Sequence, residues 1–258
     1  MKREFQGHES SAERIRKIAR LAYEQAAEPT PEPEPTGRIA QRMSMLDDAA
    51  RAAGVPPRLL DCRWEGCPEV VRHEMRAFSR KNYFLTGAVG TGKSAAAACL
   101  VRSRLAQRAT QKTDRERQRV DRGYGEYPRI RPLDFVPKIG GVEWHDFRTL
   151  VGKVQETYSG GATQSFLNRL VALQLLVIDE VVPSLTTDKA RIIEWLLAQR
   201  HAEEKQTVLT SNYTLPRLMK AIKKAAGDDD DWAMDRIESR IVSSFKNLHF
   251  KGADRRLK

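Results

Sequence analysis

The residues with the clearest chemical signature form a short glycine-rich stretch that matches the pattern G-x-x-x-x-G-K-[ST] at every fixed position. Glycines let backbone N–H groups approach phosphate oxygens, the lysine adds charge at the β- and γ-phosphates, and the serine hydroxyl can bind Mg²⁺. The pattern therefore predicts a loop that binds a nucleoside triphosphate. Its residues are Gly87, Ala88, Val89, Gly90, Thr91, Gly92, Lys93 and Ser94.

The sequence on either side of this loop suits that chemistry. Residues 82–86 are apolar and β-favouring, and the alanine-rich residues 94–101 favour a helix. We therefore expect a strand that leads into the glycine-rich turn and a helix that begins at its end. A helix N-terminus adds its own attraction for phosphate.

A second group of reactive residues follows roughly 90 positions later, where the apolar run 175–178 ends in Asp179 and Glu180. An apolar run of this kind is typical of a buried parallel strand, which delivers its last side chains to the carboxyl edge of a sheet. We expect Asp179 to hold Mg²⁺ through water and Glu180 to polarise the attacking water as a general base. The two motifs predict one shared site.

A further buried strand is predicted over residues 206–212, and it ends in Asn212. If this strand lies between the loop strand and the Asp-Glu strand, Asn212 would reach the γ-phosphate or the attacking water. The alternative is that Asn212 only caps the end of its strand, a position for which asparagine is also well suited.

The chain outside these motifs divides into three predicted parts. Residues 1–36 hold an amphipathic helix, Ser10 to Ala27, and a stiff linker of alternating proline and glutamate. Residues 37–54 form a helical approach to the nucleotide domain, which takes up residues 55–258. The tethered helix is either a docking element for a partner or a frayed tail.

Composition narrows the choice of partners. The net charge of +11 and the pI near 9.7 favour an anionic partner, for which nucleic acid is the first candidate. The alternative is that the charge only keeps the protein in solution. The apolar runs are too short to cross a membrane, and the polar start is no signal peptide, so a cytoplasmic protein is expected. A zinc site on Cys62, Cys67 and His73 would lack a fourth ligand.

An arginine-dense segment occupies residues 111–131, with tyrosines at positions 124 and 127. Cations interleaved with aromatic rings suit a nucleic-acid backbone and its stacked bases. Four acidic residues dilute the charge, so a solvated helix end and loop is an equal alternative.

From about residue 54 to residue 256, the order of motifs resembles the AAA+ ATPases of the DnaC and DnaI helicase-loader group, with the IstB-type transposition helpers as relatives. The resemblance implies an α/β P-loop NTPase fold, with a parallel five-stranded sheet in the order 5-1-4-3-2, helices on both faces and a small helical N-terminal extension. It also implies a Mg²⁺-dependent ATPase that self-associates through its ATP site. The matching residues are Gly54 to Arg58, Gly87 to Ser94, Leu175 to Glu180, Ala198 to Arg200, Thr210 to Asn212, Asp235 to Arg240, and Gly252 with Arg256.

The resemblance also assigns roles to single residues. It gives Asn212 the sensor-1 place, Arg240 that of an arginine finger for a neighbour's site, and Arg256, or Arg255 if the register shifts by one, the sensor-2 contact. The group-specific insertion falls between residues 145 and 173 and implies backbone contacts to single-stranded DNA. These contacts would come from Arg148, Lys153 and Arg169.

Three functional hypotheses follow. The first is a helicase loader that binds ATP, single-stranded DNA and, through the N-terminal helix, a replicative helicase. The second is a transposition helper that binds duplex DNA and recruits a transposase. The third is a nucleotide-gated adaptor in which hydrolysis is incidental.

Overall fold

Five short runs rich in apolar and β-branched residues form one parallel sheet in the computed structural model, which describes residues 36–76, 80–121, 141–158, 160–182, 187–218, 220 and 231–254. The sheet order is β2-β3-β4-β1-β5. This is the predicted order 5-1-4-3-2 seen from the opposite edge, so the predicted fold class is confirmed. The strands are β1 (Asn82–Gly87), β2 (Val142–Asp146), β3 (Leu175–Asp179), β4 (Gln206–Ser211) and β5 (Phe245–Phe250).

Helices connect successive strands, as parallel pairing requires. Two short 3-10 turns, Pro57–Leu59 and Trp64–Gly66, precede the sheet. The helices are α1 (Thr36–Ala52), α2 (Glu69–Arg76), α3 (Lys93–Asp121), α4 (Phe147–Glu156), α5 (Thr163–Ala172), α6 (Thr187–Ala202) and α7 (Asp231–Ser244).

Alternate side chains of the central strands enter two separate apolar clusters, one on each face of the sheet. On β1, Tyr83 and Leu85 pack in a cluster with the alanine-rich start of α3, whereas Phe84 packs in the other with α4, α5 and α6. All three are fully buried. Burial on both faces explains why these strands are almost continuously apolar.

Strand register brings the predicted site residues to one edge of the sheet. Thr86 on β1 pairs with Ser211 on β4, and Ile178 on β3 pairs with Leu209 on β4. Just past the strand ends, Val181 N–H donates to Thr210 O over 2.8 Å. The loop after β1, the carboxylates after β3 and Asn212 after β4 therefore emerge side by side at the carboxyl edge.

The arginine-dense segment is helical at its start, because α3 runs on to Asp121. Residues 122–131 lie outside the described residues, as do the predicted helix Ser10 to Ala27, the proline-glutamate linker, Arg255 and Arg256. The chain divides into units 1–41 and 42–258, and the sheet belongs to the second. The finer domain boundaries stay predictions.

Within the described ranges, no helix is both long enough and apolar enough to span a bilayer.

Candidate nucleotide-binding site

The loop between β1 and α3 has the left-handed backbone that its glycines permit. At Gly87, φ is +146°, and a β-carbon there would lie 2.3 Å from the carbonyl oxygen of Phe250 on β5. At Gly90, φ is +74°, and a β-carbon would lie 1.7 Å from a carboxylate oxygen of Asp254. Any side chain at either position would strain the backbone and collide with its neighbour.

The amine of Lys93 is held inside the loop. Lys93 Nζ donates to the carbonyl oxygens of Gly87 at 3.0 Å and Ala88 at 2.7 Å, and the residue is 7% exposed. The hydroxyl of Thr91 closes the turn with a 2.8 Å bond to Ala88 O. A fixed positive charge therefore sits at the start of α3, where the helix N-terminus also favours an anion.

Ser94, Asp179 and Thr210 form a hydrogen-bonded group below the loop. Ser94 Oγ donates to Asp179 Oδ1 at 2.9 Å, and Thr210 Oγ1 donates to the same oxygen. Asp179 is 3% exposed. Burial raises the pKa of its carboxyl, and the two hydroxyl bonds, which favour the ionised form, only partly oppose this effect. The negative charges of Glu180 and Asp146 raise the pKa further.

Glu180 follows in a strained backbone conformation, with φ at +58°. Its N–H donates to Thr210 Oγ1 at 2.9 Å, while its side chain is exposed and faces a cavity. A residue other than glycine with positive φ is uncommon and tends to mark functional sites. Thr210 therefore positions both carboxylates, by accepting from one residue and donating to the other.

The cavity has a volume of about 680 Å³ and is lined by predicted residues from the loop and from the ends of β3 and β4. One wall comes from the loop and the strand ends, and it includes Lys93, Ser94, Glu180, Thr210 and Asn212. This volume lies within the range of cavities that hold drug-sized and nucleotide-sized ligands. The expectation that the two motifs share one site agrees with this geometry.

The other wall comes from a part of the chain that sequence reasoning missed. Residues 58–66, which we call the turn segment, contribute Arg58, Leu59, Asp61, Cys62, Arg63 and Gly66. The turn segment is tied to α3, because Arg102 donates to Leu60 O at 2.9 Å and Trp64 Nε1 donates to Ser103 Oγ at 3.0 Å. The sequence predicted no role in nucleotide binding for these residues, because only their folding back on α3 brings them to the cavity.

Oxygen ligands at the loop fit Mg²⁺. A serine hydroxyl and a buried carboxylate are the hard donors that this ion prefers, and it commonly takes only one or two protein ligands beside substrate phosphates. A cation there would also offset the burial of the Asp179 charge. The zinc alternative gains no support, because among the described residues no group of three or more His, Cys, Asp or Glu could hold a metal.

The chain after β5 returns to the loop. Asp254 lies against Gly90, as the position of a β-carbon on that glycine shows. Arg255 and Arg256, the predicted sensor-2 candidates, lie just outside the described residues. Their chain neighbour therefore touches the phosphate-binding loop.

Arg240 lies apart from the cavity in its own chain. Its guanidinium, 22% exposed, makes an ion pair with Glu194 on α6, and Arg236 Nε lies 3.9 Å from the same carboxylate. Among the described residues that line the cavity, Arg240 is absent. A role at an ATP site would require a second subunit, as the prediction states.

The three residues predicted to contact DNA lie on the two helices between β2 and β3, and all are exposed. Arg148 and Lys153 lie on α4, whose N-terminus is capped by the Asp146 carboxylate at 3.0 Å from Arg148 N. Arg169 on α5 pairs with Glu143 and stacks over the Phe166 ring at 5.1 Å. Burial alone would raise the pKa of Glu143, but bonds from His145 and the Arg169 charge lower it.

Solved structures of other proteins share this fold. The DnaC helicase loader matches with a TM-score of 0.50 and 17% identity, over 76% of this chain and 100% of that one. DnaI matches with a TM-score of 0.51 and 13% identity, over 78% and 93%. AMPPCP-bound DnaA from Aquifex aeolicus matches with a TM-score of 0.45 and 19% identity, over 71% of this chain and 45% of that one. This chain therefore spans less than half of that DnaA.

No protein-family model matches the sequence, and no curated protein matches it significantly.

The strand order and the matches to DnaC and DnaI show that the chain has the fold of these helicase loaders. The resemblance stated from the motifs is confirmed at this level.

Proposed function

We propose that this protein is an ATP-dependent helicase loader of DNA replication, which binds ATP and single-stranded DNA and delivers a replicative helicase. The observation that carries the proposal is the bond from Ser94 to Asp179, which joins the phosphate-binding loop to the carboxylate strand beside a cavity of about 680 Å³. The likeness of the fold to DnaC and DnaI supports the choice of loader among AAA+ functions.

Within the cavity, the loop N–H groups and Lys93 would bind the triphosphate of ATP. Ser94 and Asp179 would hold Mg²⁺, which when bound neutralises charge on the β- and γ-phosphates. The bonds that Lys93 makes to the Gly87 and Ala88 carbonyls keep its amine in place for this role.

Hydrolysis would use the exposed carboxylate beside Asp179. Glu180 accepts a proton from the water that attacks the γ-phosphorus, while the bond from that phosphorus to the bridging oxygen breaks and ADP leaves. Asn212 would orient the water or the γ-phosphate, and Arg256 or Arg255 would contact the phosphates from the end of the chain. Arg240 would complete a neighbouring subunit's site.

The partners would bind away from the cavity. Residues 1–36 would dock on the helicase, and Arg148 and Lys153, both exposed on α4, would contact the backbone of single-stranded DNA. Arg169 would join them by exchanging its pairing with Glu143 for a phosphate.

A loading assay tests the proposal. Helicase unwinding of a forked substrate coated with single-strand-binding protein is measured with the full-length protein, with residues 1–36 deleted and with Lys93→Ala. Loading should require both ATP and the full chain, and the deletion should abolish helicase binding while it spares ATP hydrolysis.

Two results would overturn the proposal. One is unchanged helicase binding after the deletion, because residues 1–36 would then not be the docking element. The other is a strong preference for duplex DNA together with capture of a transposase, which would favour the transposition-helper function.

A further inference from the structure

A second and smaller cavity lies at the amino edge of the sheet, which we call the arginine pocket. Its lining includes the first residues of three strands, Val142, Leu175 and Gln206, together with Arg80 just before β1. Its volume is about 70 Å³. The nucleotide cavity lies at the carboxyl edge, so the length of a strand, about 17–20 Å, separates the two.

Three arginines converge on this pocket. Arg104 and Arg108 come from α3, one turn apart, and Arg80 comes from the approach to β1. Arg108 lies against Gly141, where a β-carbon would be 3.2 Å from its guanidinium nitrogens. Glu204 is the one acidic residue that lines the pocket among the described residues, so positive charge prevails three to one.

Neutral amides orient the guanidinium of Arg104. Arg104 Nε donates to Gln206 Oε1 at 3.0 Å, and an Nη atom donates to Gln107 Oε1 at 2.7 Å. Gln206 is 4% exposed and is fixed in turn by a 2.8 Å bond from its amide to Lys81 O. These bonds to neutral groups hold the guanidinium in place.

The electrostatic cost of this arrangement favours an anionic ligand. Burial lowers the pKa of Arg104, and the nearby charge of Arg80 lowers it further, while Tyr83 has the opposite effect. A bound anion would relieve both costs. Arginine presents a planar fork of donors that matches the oxygens of a phosphate group.

We propose that the arginine pocket binds a phosphate group of a nucleic-acid backbone. The small volume, about 70 Å³, suits one phosphate group better than a whole nucleotide. The net charge of +11 favours a polyanion over a free phosphate, and α3 continues beyond the pocket to Asp121. The site is separate from the ATP cavity and from the proposed DNA contacts on α4 and α5.

The test measures binding of a fluorescein-labelled 30-nucleotide single strand by anisotropy across a salt series. The variant is Arg80→Gln with Arg108→Gln, and the control Arg51→Gln with Arg217→Gln removes the same charge from exposed positions elsewhere. The pocket variant should bind about tenfold more weakly near 0.1 M salt. Its slope of log K against log salt should fall by about 0.7, the value for one phosphate contact.

Separate readouts keep this result distinct from the loader proposal. The pocket variant should keep its melting temperature and basal ATP hydrolysis, whereas Lys93→Ala should lose hydrolysis and keep the salt slope. If the double variant unfolds, Arg80→Gln alone is used, since Arg80 is exposed.

The assignment is overturned if the pocket variant and the control bind DNA equally. It is also overturned if the variant loses binding of labelled inorganic phosphate but binds DNA as the wild type does, because that result would indicate a free phosphate ligand. Loss of helicase binding with unchanged DNA binding would indicate an acidic protein partner instead, and would contradict the proposal.

Discussion

Ser94 Oγ donates a 2.9 Å hydrogen bond to Asp179 Oδ1, although 85 positions separate the two residues in the chain. The serine opens the helix after the phosphate-binding loop, and the aspartate ends the buried strand β3. The parallel sheet brings them together, because both elements reach its carboxyl edge next to β4. This contact brings the two motifs together at one edge of the sheet.

The burial of the Asp179 carboxyl lowers the stability of the ligand-free protein at neutral pH, although ATP hydrolysis would require this group. Because burial raises its folded pKa above the unfolded value near 4, the stability that this carboxyl contributes is present below about pH 4 and is lost as pH rises through the folded value. Asp179→Asn should therefore stabilise the ligand-free protein at pH 7.5 by about 1 kcal/mol, a few degrees in Tm.

Thermal unfolding of the two proteins without Mg²⁺, at pH 7.5 and at pH 4, checks this prediction. The gain should shrink at pH 4, and the variant should lose ATP hydrolysis. A lower Tm for the variant at pH 7.5 would show that ionised Asp179 does not cost the fold stability.

Substitution of Thr210 should lower the rate of ATP hydrolysis without weakening nucleotide binding. Thr210→Val removes the acceptor of the Glu180 N–H and a donor to Asp179, so both carboxylates lose their alignment. We expect kcat to fall by about ten- to a hundredfold, with ATP affinity changed little. Thr210→Ser keeps the hydroxyl and should restore most of the rate; equal rates for the Val and Ser variants would contradict a positioning role.

Arg240 tests whether the ATP site is shared between subunits. Arg240→Ala should lower hydrolysis by the assembled protein by about 10³-fold and leave ATP binding to the isolated subunit intact. Arg236→Ala is the matched control, because Arg236 lies near the same Glu194 carboxylate but is 58% exposed. Equal hydrolysis by both variants in the assembled state would remove Arg240 from the site.

The contacts of Arg200 indicate a structural role for the matching stretch Ala198 to Arg200. It is 1% exposed and donates to Leu170 O at 2.6 Å, Leu173 O at 3.0 Å and Gln206 O at 2.5 Å, which ties the end of α5 to the start of β4. Burial lowers its pKa to about 9.

Arg200→Met removes these hydrogen bonds to buried carbonyls and should destabilise the fold by about 3–5 kcal/mol in chemical denaturation. Gln199→Met, at an exposed neighbouring position, should change stability by less than about 0.5 kcal/mol. Similar losses in both variants would show that helix packing, and not the guanidinium, is responsible.

The sequence predicted those features that depend on local pattern. Apolar runs such as Leu175–Asp179 became strands because their composition suits burial on both faces, and the glycine positions marked the loop directly. The sheet order came from resemblance, because strand neighbours depend on crossovers that no local pattern states.

Features that depend on contacts between distant parts of the chain could not be predicted from the sequence. In the sequence, Arg200 is one more charged residue near a helix end. In the structure it is buried and donates hydrogen bonds to three carbonyl oxygens of other elements. The turn segment reaches the cavity only through bonds to α3, such as that from Trp64 to Ser103. Thr210 belongs to the matching stretch Thr210 to Asn212, but its bonds to the Asp179 carboxylate and the Glu180 N–H depend on the fold.

The most direct measurement of the central claim compares wild type with Glu180→Gln, by calorimetry of ATP binding and by Mg²⁺-dependent hydrolysis. If the loop and the carboxylate strand form one ATP site with Glu180 as the base, the variant binds ATP with wild-type affinity and hydrolyses it at least about a hundredfold more slowly. Hydrolysis at the wild-type rate, or no ATP binding by either protein, would contradict the account.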